Sequence, residues 1–218
     1  MIARFAPALA VLIGSLAVTG CASTYYSAME TFGLEKRDLL TSRVQSAQKA
    51  QSDAQVEFKD ALEQYRALVD FDGGELARTY DRLSSQYDRL ESEARTVRSR
   101  IDSIENVGNA LFREWRQELK DYSSAELRRR SEVQLRETEA RYASVLTAMN
   151  SAADRMDPVL EIFEDQVLFL KHNLNAQAIA GLETERAEIE RRVDALIGEM
   201  DKAIAEAQAF IEAMPRDA

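Results

Sequence analysis

The sequence predicts an all-α protein, an elongated antiparallel four-helix bundle of up-down-up-down topology. Three observations predict it. Apolar residues recur at alternating steps of four and three over very long stretches, the spacing of helices that pack along a seam. Helix breakers are scarce: after residue 20 the only glycines are Gly33, Gly73, Gly74, Gly108, Gly181 and Gly198, and the only prolines are Pro158 and Pro215. The few break points fall near residues 72, 123 and 174, dividing the chain into near-equal lengths, as an up-down-up-down bundle requires. No alternating strand pattern competes.

Residues 1–20 stand apart from this pattern. They carry one charge, Arg4, followed by an apolar run from Phe5 to Val18 and then Val18-Thr19-Gly20-Cys21. A basic start, a short apolar run and small residues before a cut site are the marks of a secretory signal. The run contains Pro7 and falls short of the roughly 20 apolar residues that a spanning helix needs. Val18-Thr19-Gly20-Cys21 resembles the lipobox of bacterial lipoproteins. That resemblance implies cleavage between Gly20 and Cys21 and lipid attachment at Cys21, the only cysteine. Residues 1–20 are then the signal peptide, 21–30 the lipidated tether and 31–218 the bundle. Ala22 is not the aspartate that retains many such proteins on an inner membrane, so an outer membrane address facing the periplasm is expected. With no second cysteine an intramolecular disulfide is excluded, and stability must come from packing.

The first helix is read from Leu40, Val44, Ala47, Gln51, Ala54, Phe58, Ala61, Tyr65 and Leu68. Phe71-Asp72-Gly73-Gly74 ends it, since paired glycines supply the left-handed backbone of a helix terminus. The second runs from Leu76 through Tyr80, Leu83, Tyr87, Leu90, Ala94, Val97, Ile101, Ile104, Gly108 and Leu111 to Trp115 without a missed step. Asp121-Tyr122-Ser123-Ser124 then offers serine caps ahead of Glu126. A third series is Tyr142, Val145, Met149, Ala152, Met156, Val159 and Phe163, with Pro158 predicting a kink or restart. The fourth reads Leu182, Arg186, Ile189, Val193, Leu196, Met200, Ala203, Ala207, Phe210 and Met214. Whether 158–214 is a hairpin turning at His172-Asn173-Leu174-Asn175 or one continuous helix is open from spacing alone; the hairpin avoids an unpartnered overhang. Leu62, Val69, Phe112, Ile197, Ile204 and Ile211 widen the apolar stripes beyond a two-helix coiled coil. Gln51 and Arg186 interrupt the seams, as buried polar residues that fix register do.

Composition limits function. Net charge is −10, and −11 once Arg4 is removed. That is the wrong sign for nucleic acid, and for a bundle lying flat on an anionic lipid surface. The sole histidine, His172, has Phe169 three residues before it, so the Glu-x-x-His pairs of metal-binding bundles are missing. Neither a nucleophile elbow nor a phosphate-binding glycine loop is present. No catalytic residue, metal or cofactor is expected, and the acidic residues read as solvated helix faces. Tyr80-Asp81-Arg82-Leu83 recurs as Tyr87-Asp88-Arg89-Leu90, which heptad patterning explains. Arg128-Arg129-Arg130 reads as a solvated face, with a grip on lipid phosphates as the rival reading.

Because the first helix leaves the lipid end, the first and third turns come together at the far tip. That groups Phe71 and Asp72 with Lys171, His172, Asn173 and Asn175 as a candidate surface for a protein partner in the envelope. Phe71-Asp72-Gly73-Gly74, Leu127-Arg128-Arg129 with Ser131-Glu132, and Asp157-Pro158 followed by Asp165-Gln166-Val167-Leu168-Phe169-Leu170-Lys171-His172-Asn173-Leu174-Asn175-Ala176 are the most distinctive stretches. They resemble an uncharacterised family of proteobacterial envelope proteins, known only as a domain of unknown function, over nearly all of the chain after residue 20. The resemblance implies a helical lipoprotein of a Gram-negative envelope and carries over no catalytic residues. Two roles follow: a lipid-anchored scaffold or interaction protein, or a module that holds a lipid or other small apolar ligand in the bundle or at its tip. Oligomeric state is not fixed by the sequence.

Overall fold

The computed structural model describes the backbone of residues 21–69, 76–173 and 176–214, with side chains for 36–69, 77–173 and 181–214. The described chain forms four helices: α1 (Cys21–Val69), α2 (Leu76–Glu118), α3 (Ala125–His172) and α4 (Ala176–Ala213). Each packs on its two chain or ring neighbours, α1 on α2, α2 on α3, α3 on α4 and α4 on α1, which closes a four-cornered bundle. Residues 158–214 are therefore a hairpin. Phe71, Asp72 and Gly73-Gly74 lie outside the described residues, as does Asn175.

Cross-helix bonds give the register. Glu57 of α1 takes Arg89 of α2 at 2.8 Å, and Lys36 takes Glu114, so numbers fall on one helix as they rise on the other. Between α1 and α4, Gln48 donates to the Ile204 carbonyl, Gln55 to Asp201 and Arg66 to Glu190. Between α3 and α4, Ser144 Oγ donates to Glu206, and Arg192 to the Pro158 carbonyl. All neighbours are antiparallel, and at about 1.5 Å per residue the rod is about 70 Å long.

The predicted seams are the core. Leu40, Val44, Ala47, Ala54, Phe58, Ala61 and Tyr65 of α1 have no exposed surface, nor do Leu90, Ala94, Val97 and Ile104 of α2. Met149, Ala152, Met156 and Phe163 of α3 meet Leu182, Leu196, Met200, Ala203 and Ala207 of α4 in the same interior. Gln51 is fully buried, and its amide donates to the Met149 carbonyl at 3.3 Å, linking diagonal helices, while its Oε1 has no partner. Arg186, by contrast, lies at the edge of the seam and pairs with Glu183 and Glu190.

Two glycines mark close approaches. A Cβ on Gly108 would lie 2.4 Å from the Tyr142 ring, and one on Gly181 2.8 Å from Phe169. Gly108 therefore opens no ligand space; its missing side chain seats Tyr142, whose ring also stands edge-on to Phe112 at 5.0 Å.

The structure departs from expectation in two places. Pro158 does not restart the third helix: α3 continues through it to His172. Its missing N–H deprives the carbonyl four residues back, at exposed Asp154, of a partner, where water can serve. Donors from both neighbouring helices reach the carbonyls nearby, Arg98 to Ala153 at 3.3 Å and Arg192 to Pro158 at 3.2 Å. The helices are also unequal, at 49, 43, 48 and 38 residues. α4 is short at its C-terminal end, so the two ends of the rod differ.

Candidate functional site

The turn between α3 and α4 places Lys171 and His172 on the surface of the last turn of α3. The lysine's charge complements the negative end of the helix dipole there. Asn173 is occupied otherwise. Its side-chain amide donates to the Phe169 carbonyl at 3.0 Å, and its backbone N–H reaches both Phe169 and Leu170, so it caps the helix. Of the six residues grouped at the tip by the sequence, three can be placed. Two of those are exposed and the third is engaged as a cap. Cys21 is the first residue of α1, its side chain outside the described set, and Gly20 lies outside it entirely.

A concavity that spacing did not reveal lies nearby. Between α1 and α2 a cleft of about 500 Å³ is lined by Ala61, Gln64, Tyr65, Ala67, Leu68, Arg78, Thr79, Arg82, Leu83 and Gln86. Ala61, Ala67 and Thr79 create it, because small side chains on facing helices leave their shared groove unfilled. Its floor is fixed. The Tyr65 hydroxyl donates to the Leu182 carbonyl at 2.6 Å, and its ring meets Phe163 edge-on at 6.1 Å. Burial pushes that phenol well above its usual pKa; Glu185 and Glu183 add to the shift and Arg186 opposes it. Gln86 is buried and donates to Glu57 at 2.9 Å. Exposed Arg78 and Arg82 form a cationic rim. An apolar floor under guanidinium groups suits a molecule with an apolar body and an anionic head.

At the opposite end, Trp115 donates its indole N–H to Ser131 at 2.8 Å and lies under Arg37, whose guanidinium carbon is 4.4 Å from the ring centroid. Tyr142 is pushed up to about 12 by burial, with Glu105 adding to it. Ser124 caps α3, its hydroxyl accepting from the Leu127 N–H at 3.3 Å, as the sequence predicts.

Among the described residues, no group of three or more His, Cys, Asp or Glu side chains is placed to hold a metal ion. Nor is any helix among them long and apolar enough to cross a membrane. The family described as "Protein of unknown function (DUF2959)" matches residues 25–214. The resemblance carried by the motifs around Phe71, Arg128 and Asp157-Pro158 thus extends over most of the chain. No curated protein and no solved structure matches it.

Proposed function

The chain belongs to this family of unknown function, and on that premise we propose that it is a lipid-anchored helical scaffold or interaction protein of the bacterial envelope, without catalytic activity. The observation that carries the reading is the position of Cys21. It follows an apolar, singly charged leader and a lipobox-like Val18-Thr19-Gly20. Register supports the same picture. Because Lys36 meets Glu114, α1 continues about ten residues, or about 15 Å, past the end of α2. On this reading residues 21–30 are a helical stalk between the lipid and the bundle. Two or more acyl chains at Cys21 anchor stably where one holds only marginally.

Replacing Cys21 with alanine tests it. The wild-type protein should fractionate with the outer membrane and the variant should appear, folded, in the soluble periplasm. A variant that stays membrane-bound contradicts the reading.

The cleft between α1 and α2 supports a second role for the same anchored bundle, holding an amphipathic anion such as a fatty acid or lysophospholipid. Native mass spectrometry of the purified protein checks it. A co-purifying lipid lost in Arg82→Glu supports binding; an empty bundle argues for the scaffold alone.

A further inference from the structure

At the end of the rod that carries Cys21, three helices continue without the fourth. The Ser144–Glu206 and Gln48–Ile204 bonds set the end of α4, Ala213, level with the region of Leu39 on α1 and Glu137 on α3. On α3 at this end, Val133 is 38% exposed and Leu127 53%. Tyr122, in the α2–α3 turn, and Leu39 are exposed as well. Four of the seven exposed large apolar residues among the described set therefore gather at this end.

The charge there also departs from the chain as a whole. Residues 113–130 hold six basic and four acidic side chains, whereas 150–200 hold five basic and eleven acidic. Arg113 and Lys120 meet no carboxylate within ion-pair distance among the described residues; Lys120 donates to Gln117 at 3.0 Å. Arg128 pairs with Glu132, and Arg129 and Arg130 with Glu126, all on exposed helix surface. Such pairs contribute little in water, so a phosphate can replace the carboxylate.

We propose that this end is a foot that docks on the headgroups of an anionic phospholipid surface, with Tyr122 and Leu127 entering the interface and Lys120 and Arg128–Arg130 holding phosphates. Charge complementarity selects this occupant, and aromatic and basic side chains together are the usual residents of a membrane interface. The stalk has the right length. Its residues 21–34 carry one charge, Glu30, and the roughly 15 Å it adds matches a headgroup layer plus the 5–10 Å to which an amphipathic segment sinks. The orientation rests on the lipid-anchor reading above, and the two are separable.

Trp115, the only tryptophan, lies one turn from the end of α2 beside the foot and serves as the probe. The full lipidated protein is mixed with vesicles of phosphatidylglycerol or of phosphatidylcholine, each containing a lipid with a nitroxide on its headgroup. Flotation scores the anchor; quenching of Trp115 scores the foot. Quenching should be at least about twofold stronger on phosphatidylglycerol and fall to the phosphatidylcholine level in ~0.5 M salt. Arg128→Gln/Arg129→Gln/Arg130→Gln should abolish the difference, and Tyr122→Ser/Leu127→Ser should weaken quenching while flotation persists. Equal quenching on both vesicles by protein that floats overturns the foot and leaves the anchor standing, with a second copy or another protein to cover Val133 and Leu127. Protein that floats on phosphatidylglycerol alone, and not as the triple variant, supports the foot and removes the anchor. Protein that floats on neither overturns both.

Discussion

The two ends of the bundle are built from the same materials and finished differently. At the far end all four helices stop together, at Val69, Leu76, His172 and Ala176, and the interior is closed by Tyr65 set edge-on to Phe163. At the Cys21 end an equivalent aromatic group, Phe112, Tyr142 and Trp115, spans the end of α4: Tyr142 is level with its last turns, and Trp115 lies past Ala213 among the other three helices. The far end is acidic and flush; the near end is basic, stepped and partly apolar. A helix bundle is nearly symmetric end to end in its packing rules, so helix length and charge placement are what give this one a direction.

The largest expected effect tests that contrast in the core. Phe163→Ala should cost about 3–5 kcal/mol in urea unfolding, the range for a fully enclosed ring. Trp115→Ala should cost less, because its end of the core lacks a fourth wall. Equal losses would mean that the near end is as enclosed as the far one.

The next comparison concerns two glycines within helices. Gly108→Ala should destabilise by about 1–3 kcal/mol, since the new methyl meets the Tyr142 ring held against Phe112. Gly198→Ala meets nothing within 4 Å and should stabilise by up to about 1 kcal/mol through helix propensity alone. Opposite signs in thermal melts are expected. A stabilising Gly108→Ala would show that Tyr142 has room to retreat.

The smallest effect is electrostatic and should invert from end to end. Glu118 ends α2, and burial raises its pKa, with Glu114 adding and Arg37 and Lys36 opposing. An acid whose folded pKa exceeds its unfolded value destabilises the fold when ionised, and that penalty lifts as pH falls through the raised value. Glu118→Gln should therefore stabilise at pH 7 and make no difference in acid. Glu190, toward the far end, is held below the usual carboxylate range by its bond from Arg66, then by Arg186, against desolvation. Its contribution is present above the unfolded pKa and is lost as pH falls through the lowered one, so Glu190→Gln should destabilise at pH 7 and converge with wild type in acid. Paired denaturation curves at pH 7 and in acid, with parallel pH dependence in the two variants, would refute the assignment.

Most of the fold was legible because one signal, the heptad, ran through every helix; Phe58, Ile104, Met149 and Leu196 are buried where it placed them. Ser124 was equally readable, since a cap is local chemistry. The restart allowed for at Pro158 does not occur because the rule about proline is also local, while Arg98 and Arg192 come from neighbouring helices. The step at the near end was hidden for a related reason. Met214 keeps its place in the repeat, and only the register of α4 against α1 and α3 shows how far short of the end it falls. The cleft was invisible too, being a property of α1 and α2 together. Of the residues expected at the tip, Asn173 turned out to cap α3, and Phe71, Asp72 and Asn175 lie outside the described residues.

Direction is the central claim, and depth measures it. A nitroxide placed at Tyr122→Cys or at Lys171→Cys in the protein bound to phosphatidylglycerol vesicles reports collision with lipid-soluble oxygen and with an aqueous nickel complex. The two positions lie about 70 Å apart along α3. The label at 122 should show interfacial depth and the label at 171 full exposure to water. Equal depths, or the reverse order, would contradict a bundle that stands on its α2–α3 turn.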